Sequence, residues 1–224
     1  MSKFSMIHGA VAAAALLALG VANAAGPVKS APAGISPAVK LMPAAVLYDQ
    51  NDNQGANSVT SQNFESSFDA YDSIAADDFT VPAGFKWLVN QVTVTGAYTS
   101  TGGATTAHVV FYKNKANLPQ NIVADYPAAL ITTDSAGSFV ISVPKTALKP
   151  GKYWVGVQAN LDFGVGGQWF WSDRTVQAGV ETSWMNPGNG FGTGCTVFAP
   201  LSVCIPATFD PDRMFALGGK AKPI

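Results

Sequence analysis

The chain has 224 residues, a net charge of -1 and charged side chains at only 12% of its positions, against about 25% in an average soluble protein. There is no basic stripe, and Arg174 and Arg213 are its only guanidinium groups, so it lacks the means to neutralise a phosphate backbone, which argues against nucleic acid as a partner. Once a leader is removed, the length suits one domain of about 150 to 200 residues, large enough for its own core without metal support or many disulfides.

Lys3, the apolar stretch at residues 10–21 and the small-x-small triplet Ala22-Asn23-Ala24 read as a signal peptide over residues 1–24, cleaved after Ala24. The apolar stretch is shorter than the roughly 20 residues needed to cross a bilayer. No cysteine follows it for lipid attachment, and residues 216–224 hold no apolar tail. The expectation is a secreted, periplasmic or cell-surface bacterial protein without a permanent membrane anchor. Residues 25–45, rich in Pro, Ala and Gly and without periodicity, read as a flexible leader that packs poorly.

From Val46 the pattern becomes short apolar runs of period two. Val92 and Val94 alternate with Gln91, Thr93 and Thr95 within residues 88–98. Ala107, Val109 and Phe111 alternate with His108 and Tyr112, Phe139, Ile141 and Val143 with Val140 and Ser142, and Tyr153, Val155 and Val157 with Trp154 and Gln158. Turn residues separate these runs at Pro82-Ala83-Gly84, Thr101-Gly102-Gly103, Ser135-Ala136-Gly137, Lys149-Pro150-Gly151 and residues 164–167. No stretch of the mature region holds an apolar period of 3.6 residues long enough for a helix. The predicted fold is an all-β, antiparallel β-sandwich, jelly-roll-like, spanning residues 46–219 with a short tail at 220–224. Cys195 and Cys204, close together in a Gly/Pro-punctuated stretch, are expected to form a disulfide that staples one loop.

Several phrases carry a resemblance: Ala75-Ala76-Asp77-Asp78-Phe79 followed by Val81-Pro82-Ala83-Gly84, then Val109-Val110-Phe111-Tyr112 leading to Leu118-Pro119, then Leu148-Lys149-Pro150-Gly151-Lys152-Tyr153-Trp154-Val155. Over about residues 46–219 the chain resembles a loose group of secreted bacterial jelly-roll modules, which stand alone or accompany surface proteins and exported hydrolases. The resemblance implies a fold. It implies no single activity, because the shared phrases are strand openings and turns.

The residues that could carry chemistry are few. His108 is the only histidine outside the signal segment, and a serine or cysteine nucleophile needs a base, so nucleophilic hydrolysis has little support. One histidine and two paired cysteines cannot make a zinc site, and no pair of carboxylates is placed for glycoside hydrolysis. Asp49, Asn51 and Asn53 stand at alternate positions of one loop, a spacing that suits Ca²⁺, although Thr60 stands where an EF-hand has its glutamate. A solvated Asx turn explains the same residues. Asp77 shares its parity with Phe79 and Val81, so one carboxylate of the Asp77-Asp78 pair faces inward and needs a cation or several donors; the candidates are a Ca²⁺ ion, with Asp77 among its ligands, or Arg213 in an ion pair with Asp78.

Trp154, Trp169, Trp171 and Trp184 are the candidate ligand-binding residues, since flat rings with a polar handle can stack on sugar faces; filling the core is the alternative use. The Gly/Asn-rich loop at residues 186–194, with the staple behind it, has the composition of a displayed recognition loop or of a plain long connection. The functional expectation is a non-enzymatic extracellular binding or interaction module whose partner is a glycan or another cell-surface component. The second is a structural cell-surface or matrix protein, and the third an exported hydrolase. Oligomeric state is not legible in the sequence.

Overall fold

A computed structural model describes residues 26–30, 45–206 and 210–224. The expected signal peptide lies outside the described residues. In chain order the strands are β1 (Val28–Ser30), β2 (Ala45–Asp49), β3 (Gln54–Thr60), β4 (Gln62–Asn63), β5 (Ile74–Val81), β6 (Phe85–Val94), β7 (Gly96–Tyr98), β8 (Thr106–Lys115), β9 (Leu118–Ser135), β10 (Ser138–Leu148), β11 (Gly151–Asn160), β12 (Trp169–Arg174), β13 (Ser183–Met185), β14 (Ala199–Pro200), β15 (Asp212–Arg213) and β16 (Phe215–Pro223). The helical elements include a 3₁₀ segment at Ser66–Tyr71 and single turns at α1 (Phe163–Gly166) and α2 (Leu201–Cys204).

The protein is an all-β sandwich of antiparallel sheets. One ladder runs β14-β13-β5-β11-β8-β9-β10-β6-β16-β2. Its corner is β9, which pairs with β8 through Leu130 and with β10 from Leu130 to Ser135. The ladder therefore folds back, and β5, β11 and β8 face β10, β6 and β16. Phe79 of β5 stacks on Trp87 of β6 at 6.2 Å and meets Phe215 of β16 edge-on at 6.4 Å. Such offset and edge-on aromatic contacts add to area burial in a core. A second sheet, β1-β3-β12-β15 with β7 on β12, closes the core: Trp169 stacks on Phe139 at 5.0 Å and Trp171 meets Phe215 at 6.3 Å.

The alternating runs form β6, β8, β10 and β11, with Val92, Val94, Val109, Phe111, Phe139, Ile141, Val155 and Val157 all in the core. The long β9 gave no comparable signal because most of it is exposed or half-exposed and it carries Pro119 and Pro127, residues tolerated in sheets only at edges, starts or irregular positions. Two boundaries differ from expectation. Val28–Ser30, within the segment read as a leader, pairs with β3, and the residues read as a short tail continue β16 to Pro223 against β6.

Candidate functional site

All four candidate tryptophans are fully buried, with 0% of their surface exposed, which removes them as stacking platforms. Each indole N–H has a partner, as a buried indole requires: Trp169 donates to the Gly137 carbonyl, Trp171 to the Met214 carbonyl, Trp184 to the Thr60 carbonyl and Trp154 to Asn114 Oδ1. Trp154 does lie on the outer face of its sheet, as its parity demands. That face is roofed by the segment after β12, whose Val180, Met185 and Phe198 pack on Trp154, Val110 and Tyr112.

The aspartates are also placed differently from expectation. Asp78 does not pair with Arg213; its Oδ2 lies 3.1 Å from Lys152 Nζ, and its Oδ1 accepts from Val180 N at 2.6 Å. Arg213 pairs instead with Asp173, while Arg174 reaches Asp52 at 2.6 Å and Asp212 at 3.8 Å. The cause is register. Asp173-Arg174 and Asp212-Arg213 are identical dipeptides on adjacent antiparallel strands, so Asp173 stands opposite Arg213 and Arg174 opposite Asp212. This repeat of Asp-Arg was a readable signal in the sequence. Asp77 is inward, as expected, and burial drives its carboxyl well above the ordinary range, with the neighbouring Asp212 adding to the effect. Its compensation comes from donors: Gln50 Nε2 at 2.9 Å and Arg213 N on Oδ2, and Asp78 N at 2.8 Å on Oδ1.

The calcium reading has no geometric support. Asp49 Oδ1 accepts from Asn51 N at 2.9 Å, the Asx turn itself, and Asn51 Oδ1 accepts from Thr95 Oγ1. Asn53 occupies the left-handed region, and its carbonyl accepts from Thr175. Among the described residues no group of three or more His, Cys, Asp or Glu side chains is arranged to hold a metal ion. His108 is held between Asp125 Oδ1 at 2.6 Å and Gln158 Oε1 at 3.2 Å, and among the described residues no serine or cysteine is hydrogen-bonded to it.

The predicted disulfide joins Cys195 to Cys204. The loop it backs, residues 186–194, is packed against residues 66–72. Asn186 is fully buried and donates from Nδ2 to the carbonyls of Ala70 and Asp72 at 2.7 and 2.8 Å, and Gly190 N donates to the Ala70 carbonyl at 2.7 Å. A Cβ at Gly188 would stand 2.5 Å from Ala70 Cα, so the contact requires glycine there. A third loop, residues 162–167, is tied to the same segment by Glu65 Oε2, which accepts from Phe163 N at 2.7 Å. Asp72 closes the base of the 64–72 loop by accepting from Phe64 N at 2.7 Å, and burial pushes its carboxyl up to about 6.

Where these three loops meet, one end of the sandwich carries a continuous aromatic ridge. Phe163 contacts Phe68 at 5.5 Å, Phe68 contacts Tyr71 at 6.0 Å, and Tyr71 meets Phe191 edge-on at 5.2 Å. All four rings are half-buried, and buried Phe64 and Trp184 back them. Exposed Asp69, Asp162 and Asn189 flank the ridge. Sequence reasoning missed these residues because none belongs to an alternating run; only their position in loops rich in Gly, Asn and Asp marked them. What the arrangement offers is an apolar ridge of mutually tilted and edge-on rings with polar edges, held by hydrogen bonds from the Glu65, Asp72 and Asn186 side chains to backbone groups. The fold and this loop end define the class: an all-β sandwich with a stapled, aromatic loop face. Compared with protein-family models, curated proteins and solved structures, the chain matches none.

Proposed function

We propose that the chain is a non-enzymatic binding module, exported after loss of its leader, that takes a glycan on the ridge formed by Phe68, Tyr71, Phe163 and Phe191. The observation that carries this reading is the chain of four half-buried rings, contiguous at 5.2 to 6.0 Å and fixed by Glu65, Asn186 and Asp72. Half-buried rings beside carboxylates and amides match the chemistry of sugar recognition, in which an apolar face stacks and hydroxyl groups hydrogen-bond. Because the loops are already ordered, little conformational entropy remains to be lost on binding.

The test is a glycan array followed by calorimetry on any hit, with a Phe68→Ala/Tyr71→Ala double variant as comparison. The expected result is a loss of affinity of about tenfold or more, equivalent to about 1.4 kcal/mol, in a variant that still unfolds cooperatively. Unchanged affinity in that variant would remove the ridge from the binding surface. Burial of the tryptophans favours a second reading, a structural protein in which the same ridge packs against another copy. Light scattering that finds a concentration-dependent oligomer, abolished by the double variant, would select it.

A further inference from the structure

The opposite end of the sandwich, where β6 begins and β16 ends, gathers four lysines. Lys222 stands directly opposite Lys86 in the β6–β16 register, and Lys220 stands opposite Leu88. Residues two apart on a strand share a face, so Lys86, Lys220 and Lys222 project together. Lys145 of β10 joins them, and Lys145, Lys220, Lys222, Asn90, Leu88 and Ala45 line a groove of about 330 Å³. Gly219 also lines it, and a Cβ there would stand 2.1 Å from the Leu88 carbonyl oxygen of the paired strand, so the close approach of β16 to β6 at this point requires glycine.

Like charges directly opposite one another on adjacent strands destabilise a sheet. Elsewhere the buried and half-buried cations are compensated, Lys152 by Asp78, Arg174 by Asp52 and Asp212, and Arg213 by Asp173. Among the described residues no carboxylate lies within ion-pair distance of Lys86, Lys145, Lys220 or Lys222.

We propose that this groove binds an acidic polysaccharide, a chain bearing carboxylate or sulfate groups at repeated positions, through Lys145, Lys220 and Lys222, with Lys86 at its margin. Lysine ammonium groups are point charges on flexible stems with rotatable donors, so they can follow a string of anions of varied orientation. A single-stranded nucleic acid fits poorly, because the lining has no aromatic ring or arginine to stack on bases. A membrane surface fits poorly too: the site is concave, and its one large apolar side chain, Leu88, is half-buried. The site is independent of the aromatic ridge, which lies at the other end of the strands.

The test compares the full chain with a Lys145→Gln/Lys220→Gln/Lys222→Gln variant by affinity electrophoresis in polygalacturonate, with dextran as neutral polymer, anionic phosphatidylglycerol vesicles as lipid and sodium sulfate as free anion. The wild type is expected to be retarded by polygalacturonate and not by dextran. The variant is expected to bind about tenfold more weakly while melting no lower than the wild type, because repulsion has been removed. Binding should vanish near 1 M salt, where screening acts over about 3 Å, and should survive in the Phe68→Ala/Tyr71→Ala variant. Equal retardation of wild type and lysine variant, a preference for the vesicles, or response to sulfate alone would overturn the proposal. So would loss of polygalacturonate binding in the ridge variant.

Discussion

Replacing Arg213 with methionine tests the buried ion pairs that join β12 to β15. Arg213 has no exposed surface, and its side chain donates to Asp173, to Thr182 Oγ1 at 3.1 Å and to the Asp210 carbonyl at 2.9 Å. Methionine fills much of the volume but leaves the Asp173 carboxylate, 2% exposed, without its cation. Removing one partner of a buried pair costs about 3 to 5 kcal/mol, which for a domain of this size corresponds to a fall in Tm of about 6 to 20 °C. The loss should depend on pH. Burial already pushes Asp173 up to about 6 even though Arg213 pulls it down, so without Arg213 the folded-state pKa rises further and the group is neutral at pH 5. The neutral carboxyl needs no counter-ion, and the penalty should shrink to about 1 to 3 kcal/mol there. Urea denaturation of both proteins at pH 8 and pH 5 measures this directly, and adding Asp173→Asn to the variant should recover part of the loss at pH 8. A difference below about 1 kcal/mol at pH 8, or a larger one at pH 5, would refute the reasoning.

The wild type should itself lose stability as pH rises from about 5 to 8. Asp72, Asp173 and Asp212 are each raised from 3.8 to about 6, chiefly by burial, so the folded state holds more protons in that window and each group removes about 1 kcal/mol across it; a higher urea midpoint at pH 8 than at pH 5 would contradict this. Reducing the Cys195–Cys204 bond, which spans nine positions, should cost about 2 to 3 kcal/mol by releasing a short loop in the unfolded chain, and hydrogen exchange should show lost protection concentrated in residues 186–206. Gly188→Ala would drive a Cβ into Ala70, so it should lower stability by about 1 to 3 kcal/mol and weaken any ligand of the ridge; calorimetry that finds both unchanged would show that the loops do not depend on this contact.

The period-two alternation in β6, β8, β10 and β11 was legible because it follows from the pleat alone: neighbouring side chains point to opposite faces whatever surrounds the strand. The inward direction of Asp77 and the outward direction of Trp154 came from the same rule. The cysteine pair was legible from spacing, and the two Asp-Arg dipeptides could have been, since antiparallel register sets each aspartate against the other's arginine. What parity cannot say is whether an outward face meets water. Trp154 is dry because Val180, Met185 and Phe198 lie over it, and that cover comes from residues 26 to 44 positions further along the chain. The same non-local folding decided that Lys152 and not Arg213 answers Asp78, that Trp169 and Trp171 face Phe139 and Phe215, and that Phe68, Tyr71, Phe163 and Phe191 share one ridge. The sequence by itself determined the four alternating strands β6, β8, β10 and β11 and which way their side chains point. Only the tertiary structure decided which of those side chains reach solvent, because exposure depends on what distant segments are packed on top.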